Sequence, residues 1–513
     1  MAQSLSHFWK GEKVEISKKV LLGLLLCAFL LRLPVLLFPE VIRLDGAEYI
    51  RHARLILSGD WTGGKAPPLY PALISFAHLF STDLEQAGIL VSFVFGVLLV
   101  LPVVYLGREI FDERVGLLSG VIVVVHPFLN SFSGSVMTES TYYFLVATIV
   151  LTGWYAFQKG RVREAILFGL LTSLAYLTRP EGIGFLIVFC LWVLAVGPLA
   201  GKRNWTRRIG IVLLALLGFL LLSSPYLIEI RKETGRWGIT KKFAIILESS
   251  SNENGSQTIE AFTKKKEISL LALVKNPLVV VQKVFFGFFH ALYVFQQAYN
   301  PLLFFFALLA LIFFRSIPVS AKANLYLFAY VFFFLGLVLP FLWVAQRYAS
   351  YMIPVAIPWA AFGFMHSTRW LSARAKGGFL KEKIPLLLVI ILVIGLYVQG
   401  WPALNRDFRM IQKEVGLWMR DHLPKGQKMM SKMGQESFYA EQAWVKLPEK
   451  GYEEILKEAR ARGARYLVVD EAIEKDSPGF LQQAKNGEVK PLFELKRKNR
   501  FMIVFEVVPS REN

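Results

Sequence analysis

Apolar runs recur along this chain near residues 20–38, 87–106, 115–132, 140–157, 164–178, 182–199, 209–228, 300–314, 324–343, 350–366 and 384–401. A helix of about 20 apolar residues crosses the roughly 30 Å of bilayer hydrocarbon. Only helices and closed barrels satisfy every backbone group there. So many runs, in a chain that is 55% hydrophobic and 19% charged, require an all-α polytopic membrane protein. The net charge of +20 would suggest a nucleic-acid partner in a soluble chain. Here Lys and Arg flank the apolar runs, as they do on the cytoplasmic side of membrane proteins, and no nucleic-acid role is expected.

The connecting segments 108–114, 159–163, 201–208, 315–322 and 369–383 are short and basic. Placing them inside, with the N-terminus, sends loops 39–86, 133–139, 229–299 and 344–349 outward. This gives about eleven spans, a cytoplasmic N-terminus and an extracytoplasmic C-terminus in the cell (inner) membrane. The segment 278–297 could be a further span, but its density of Phe between Lys275 and Lys283 fits an interfacial or re-entrant helix. Lys10, Lys13, Lys18 and Lys19 precede the first run, which ends without a small-residue cleavage site and reads as an uncleaved signal anchor. Cys27 and Cys190 both sit in apolar runs, against a disulfide or thiolate site. The outward loop 229–299 is basic at Lys241, Lys242 and 264–266, and Ser-rich at 249–256. It reads either as a solvated tip or as a basic lid over an anionic lipid.

From Asn405 the composition becomes that of a soluble domain. The pattern predicts helices over 408–422 and 452–462 and strands over 428–432, 466–470 and 501–508, a small extracytoplasmic α/β domain over 404–513 behind a membrane domain over 1–403. It lacks a nucleotide fingerprint or a Cys/His metal spacing, and reads as a structural or acceptor-recognition module.

Chemistry concentrates at the outward ends of the runs. Asp45-Gly-Ala-Glu48-Tyr49 and Lys65-Ala-Pro67-Pro68-Leu69-Tyr70 lie on loop 39–86, Glu139 opens the run at 140, Arg179-Pro-Glu181 sits between two runs, and Gln346-Arg347-Tyr348 precedes another. Any one of these could be a snorkelling anchor. Ionisable groups at the edge of the hydrocarbon are costly unless paired, hydrated or functional, and these gather on one side. The chemistry suited to such a set is group transfer from a lipid phosphate. A carboxylate takes the proton of an incoming hydroxyl or amine, and Lys and Arg neutralise the departing phosphate. His126 and His290 read as packed or hydrogen-bonded side chains. No cofactor is required by the sequence. A divalent ion held by Asp45 and Glu139 is compatible with carboxylate chemistry.

Those motifs, with Gly59-Asp60-Trp61, Thr178-Arg179-Pro180-Glu181-Gly182 and Arg347-Tyr348 ahead of Pro354, resemble the C-type-fold (GT-C) glycosyltransferases. The nearest likeness is to bacterial members of the protein O-mannosyltransferase and aminoarabinose-transferase family. The resemblance covers the membrane part and the C-terminal domain. It implies an inverting enzyme that moves a sugar from a polyprenyl-phosphate donor to an extracytoplasmic acceptor, a protein hydroxyl or a lipid or glycan. It maps the base onto Asp45, the phosphate contact onto Lys65 and a second acid onto Glu139. Glu48 would assist, and Arg179, Arg347, Tyr70 and Tyr348 would hold donor phosphate or sugar. Two departures stand out: Gly46 follows Asp45 where relatives carry an acidic pair, and Ala66 separates Lys65 from the two prolines. The competing readings are a lipid or solute transporter or flippase, which would show internal repeats, and a membrane scaffold whose external domain binds a partner.

Overall fold

The computed structural model describes residues 16–37, 41–196, 204–241, 277–312, 321–341, 344–374, 378–404, 410–448, 451–484, 487–497 and 500–508. The N-terminal Lys10 and Lys13, the Ser-rich stretch 249–256 and the lysines 242 and 264–266 lie outside them. The chain divides into two compact units: Met1–Leu37 with Tyr49–Trp401, and Phe38–Glu48 with Pro402–Asn513.

The first unit is helical, and the described residues of the apolar runs lie almost entirely in helix. Among the described residues seven helices are long and apolar enough to cross a membrane, or eight if one bent pair counts as a span. The expected count of eleven is not established by these helices. Proline divides the run 115–132, where the helix Glu113–Val125 stops before His126-Pro127, and it also marks the turn between two runs, where Val162–Thr178 stops before Arg179-Pro180. The segment expected to be interfacial or re-entrant forms the helix Pro277–Tyr299. Its outer part meets the Pro301 helix at 111°. Loop 39–86 is largely helical, with Leu44–Leu57 and Leu69–Ala77.

Close helix crossings rest on missing side chains. Val162–Thr178 packs along Trp205–Thr234. A Cβ on Gly169 would lie 2.1 Å from the Ala215 carbonyl oxygen, and one on Gly218 would lie 2.4 Å from that of Ile166. Small residues let membrane helices approach to backbone contact, where dispersion replaces the absent hydrophobic drive.

The break at Pro127 has a second effect. Proline has no N–H, so the last carbonyls of Glu113–Val125 lose their helical donors. Arg32, fully buried in the helix Lys18–Leu37, the first among the described residues, fills the gap. Its Nη2 donates to Val123 O at 3.0 Å and its Nη1 to Val124 O at 3.4 Å and Ala28 O at 3.3 Å, while Nε donates to Ser133 Oγ at 3.3 Å. The guanidinium thus caps a helix C-terminus, where the dipole favours a cation. His126 is hydrogen-bonded beside it. It accepts from Leu129 N at 3.3 Å and stands 3.2 Å from Tyr299 O, a packed histidine as expected.

The second unit contains a five-stranded mixed sheet in the order β2-β1-β3-β5-β4, formed by β1 (Lys428–Ser431), β2 (Ala443–Lys446), β3 (Tyr466–Asp470), β4 (Val489–Arg497) and β5 (Arg500–Val507). β1, β2 and β3 run parallel, and β5 pairs antiparallel with β3 and β4. Alternation along β3 supplies both faces. Tyr466 and Val468 join Ile411, Val415 and Met419 of the helix Met410–His422, and Leu467 and Val469 join Ile455 and Leu456 of the helix Tyr452–Ala461. β2 and β4, which the sequence pattern did not mark, are the two edges.

Candidate functional site

The helix Glu139–Lys159 begins at an acid with no exposed surface. Burying that carboxylate requires strong partners, and the chain supplies two arginines from distant breaks. Pro180 ends the preceding helix and holds Arg179 extended (φ −151°, ψ 133°), so its side chain reaches back. Its Nη1 donates to Thr138 Oγ1 at 2.9 Å and to Glu139 Oε1 at 3.4 Å. Arg347, on the one-turn helix Gln346–Ala349, donates through Nε to the same Oε1. One carboxylate oxygen therefore joins two cations.

Aromatic rings and hydroxyls complete the surroundings. The Arg179 guanidinium lies 4.9 Å from the Tyr351 ring centre and 5.3 Å from that of Tyr348, and its Nε is 3.8 Å from Glu181 Oε2. Tyr351 meets Tyr142 edge to face at 4.8 Å. Tyr143 Oη is 2.6 Å from Ser350 Oγ, which donates to Arg347 O, so the Arg347 turn is tied to the Glu139 helix. Several buried polar atoms here lack a hydrogen-bond partner among the described residues: Glu139 Oε2, Glu181 Oε2, Tyr142 Oη, Tyr351 Oη, Ser140 Oγ and Thr141 Oγ1. Buried polar groups are normally paired, so these unpartnered atoms beside the arginine pair single out this region as the candidate site.

Of the residues picked from sequence, Glu139, Arg179, Arg347 and Tyr348 come together. Tyr142, Tyr143, Ser350 and Tyr351 were missed. Their signal was polar side chains at helical spacing behind Glu139 and Arg347. Tyr70 has no exposed surface, donates to Gly88 O at 3.1 Å and lies 2.8 Å from Ser92 Oγ, so the structure shows it packed against the Leu84–Leu98 helix. Its ring meets Tyr49 edge to face at 5.3 Å. Among the described residues no three His, Cys, Asp or Glu side chains group as a metal site, and Glu139 is engaged by arginines. Asp45 and Glu48, both half-buried on the first turns of the helix Leu44–Leu57, belong to the second unit.

Lys65 is exposed, at the end of a tightly built loop. Asp60 Oδ1 accepts from Thr62 N, Thr62 Oγ1 and Gly63 N, each at 2.9 Å. These bonds, the Thr62 amide first, hold its carboxyl below the usual range. Gly64 lies flat against His52, where a Cβ would stand 2.1 Å from the ring, so only glycine fits. Lys241 closes the arrangement. Its ammonium donates to Thr62 O at 2.7 Å, Gly64 O at 3.3 Å and Glu233 Oε1 at 2.9 Å, and also to Glu229 Oε1. Lys241 is 4% exposed and acts as a strap, so for this residue the solvated tip is not observed; the lid reading falls largely on residues outside those described. Glu229 and Glu233, one turn apart at the end of the helix Trp205–Thr234, capture Lys241. Replacing Lys241 by Met leaves two carboxylates and two carbonyls short of a donor. A cost of about 1–3 kcal/mol is expected, read as a lower unfolding temperature with new protease cleavage between Ser58 and Lys65. Lys241→Arg should recover part of it, and unchanged cleavage would refute the strap.

Residues 65–228 match the family described as dolichyl-phosphate-mannose-protein mannosyltransferase. No curated protein matches the chain. Among solved structures, the chain is similar to the Archaeoglobus fulgidus oligosaccharyltransferase tethered with an acceptor peptide containing the NVT sequon (TM-score 0.62, 15% identity, covering 95% of this chain and 74% of that one). It is also similar to ArnT from Cupriavidus metallidurans bound to undecaprenyl phosphate (TM-score 0.59, 12% identity, 95% and 98% covered). A third likeness is to the arabinofuranosyltransferase AftD from Mycobacteria (TM-score 0.54, 12% identity, 97% and 42% covered). The chain thus has the GT-C fold, a polytopic helical membrane part with a small C-terminal sheet domain.

Proposed function

We propose that this protein is an inverting membrane glycosyltransferase that takes a sugar from a polyprenyl phosphate and places it on an extracytoplasmic acceptor. The observation that carries the reading is the buried Glu139–Arg179–Arg347 constellation ringed by unpartnered hydroxyls. Two of the known structures it resembles hold lipid phosphates, undecaprenyl phosphate in ArnT and dolichol-phosphate in the archaeal oligosaccharyltransferase AglB. The family match spans Lys65, Glu139 and Arg179.

In this reading the acceptor hydroxyl attacks the anomeric carbon from the face opposite the phosphate. A new carbon–oxygen bond forms as the bond to the phosphate oxygen breaks, with inversion. Asp45 takes the hydroxyl proton, with Glu48 beside it on the same helix. Lys65 neutralises the departing phosphate as a point charge. Arg179 spends Nη1 on Thr138 and Glu139, which leaves the rest of its fork for phosphate or sugar oxygens. Glu139 keeps both arginines in place, and the hydroxyls of Tyr142, Tyr351, Ser140 and Thr141 bond to the sugar. The N-terminus is cytoplasmic and the C-terminal domain extracytoplasmic, so the donor arrives on a lipid.

The test is to incubate purified protein with a panel of polyprenyl-phosphate sugars and follow donors and products by mass spectrometry. Consumption of one donor, with release of polyprenyl phosphate and a glycosylated acceptor, is expected. Lipid flipping or solute uptake in vesicles without consumption of any donor would replace this reading with a transporter.

A further inference from the structure

The segment Phe38–Glu48 carries the proposed base, yet it packs as part of the C-terminal unit, more than three hundred and fifty residues away in sequence. Val41 and Ile42 are 1% and 2% exposed. The Ile42 amide stands two residues before the helix Leu44–Leu57 begins, in backbone with no regular structure to satisfy it. A buried N–H needs an acceptor, and this one donates to the Tyr439 hydroxyl at 2.9 Å.

Tyr439 is itself firmly seated. It lies on the helix Gln435–Ala440, and its Cβ would be 2.7 Å from a Cβ on Gly416 of the helix Met410–His422. The Lys413 ammonium lies 4.9 Å from its ring centre, and Phe438 meets it edge to face at 5.1 Å. Met410–His422 rests on the sheet through Ile411, Val415 and Met419. A rigid path therefore runs from β1 and β3 to a single hydroxyl that fixes the backbone three residues before Asp45.

We propose that the C-terminal domain takes part in catalysis by fixing, through Tyr439, the segment from which Asp45 acts. Tyr439 is a positioning residue, and the proposal rests on the reading of Asp45 as base. Its role differs from acceptor recognition, because the bond is made to the enzyme's own backbone.

The experiment uses full-length protein in lipid nanodiscs, with the donor found in the panel. Tyr439→Phe keeps the packed ring and removes only the acceptor of the Ile42 N–H. A lost hydrogen bond of this kind corresponds to about a tenfold change. The expected result is kcat about tenfold lower, donor KM unchanged, and about tenfold faster hydrogen exchange at the Ile42 amide, with exchange of the β1 and β3 amides as in the wild type. A fall in stability alone would raise exchange throughout the sheet and would not separate kcat from KM. Unchanged exchange at Ile42, or unchanged kcat with faster exchange, overturns the proposal. Asp45→Asn measured in parallel separates the two ideas. If it is fully active, the base assignment and this proposal both fall; if it is inactive while Tyr439→Phe is normal, this proposal alone falls.

Discussion

Asp45→Asn is expected to lower sugar transfer about 10³-fold while leaving membrane insertion and donor binding as they are. Asparagine has nearly the shape of aspartate and still accepts a hydrogen bond, but it takes no proton at neutral pH. Asp45 lies in the first turn of the helix Leu44–Leu57. The dipole there favours an acidic side chain by only about 0.3–1 kcal/mol, a loss small enough for the local fold to survive the exchange. The rate loss should appear in kcat, with donor KM within about threefold of wild type, because uniform binding is untouched. Initial rates of polyprenyl-phosphate release measure it. A variant within tenfold of the wild-type rate would mean that the proton goes elsewhere.

Glu139→Ala should act on both stability and rate. Glu139 has no exposed surface, and its Oε1 is the shared partner of Arg179 and Arg347. Removing it leaves two guanidinium groups near each other in a buried place with no common anion. Breaking a buried ion pair from one side costs about 3–5 kcal/mol, enough to lower the unfolding temperature by several degrees. Activity should vanish, because the two arginines no longer share a fixed position. Glu139→Gln keeps an acceptor for one arginine and should fall between. Thermal unfolding of the purified protein, with donor turnover on the same sample, provides the check. A Glu139→Ala variant that melts with the wild type would show that the arginines are held by other groups.

The membrane part was legible because each apolar run is long and local, and a helix satisfies its own backbone. The breaks at Pro127 and Pro180 were less so, since proline marks an interruption without saying what receives the freed carbonyls. Glu139, Arg179 and Arg347 stood out because a charge beside an apolar run is conspicuous. Tyr142 and Tyr351 did not, since tyrosine is ordinary in such a run and only tertiary packing leaves its hydroxyl without a partner. In the second unit, β3 and β5 showed as apolar strands and β1 as a short strand. β4 was hidden by Lys490, Pro491, Glu494, Lys496 and Arg497, a composition suited to an edge, with a register shift between Pro491 and Phe493. The partners of Lys241 and of Ile42 were not legible for one reason: they lie in distant parts of the chain, and no local pattern encodes them.

Arg32 places the assembly of this protein in time. Synthesis delivers the first helix to the bilayer before its partners exist, since Val123, Val124 and Ser133 lie about one hundred residues downstream. Until they arrive, the guanidinium either stays hydrated at the interface or enters hydrocarbon at a cost of about 2.5–3.5 kcal/mol. The first helix therefore takes its final depth only after the Glu113–Val125 helix and the turn behind it have been made. A chain stopped at residue 110 should hold this helix shallow and accessible to aqueous thiol reagents at Cys27, and a chain extended past residue 135 should draw Arg32 inward. One buried arginine makes the helix Lys18–Leu37 wait on segments about one hundred residues downstream before it settles.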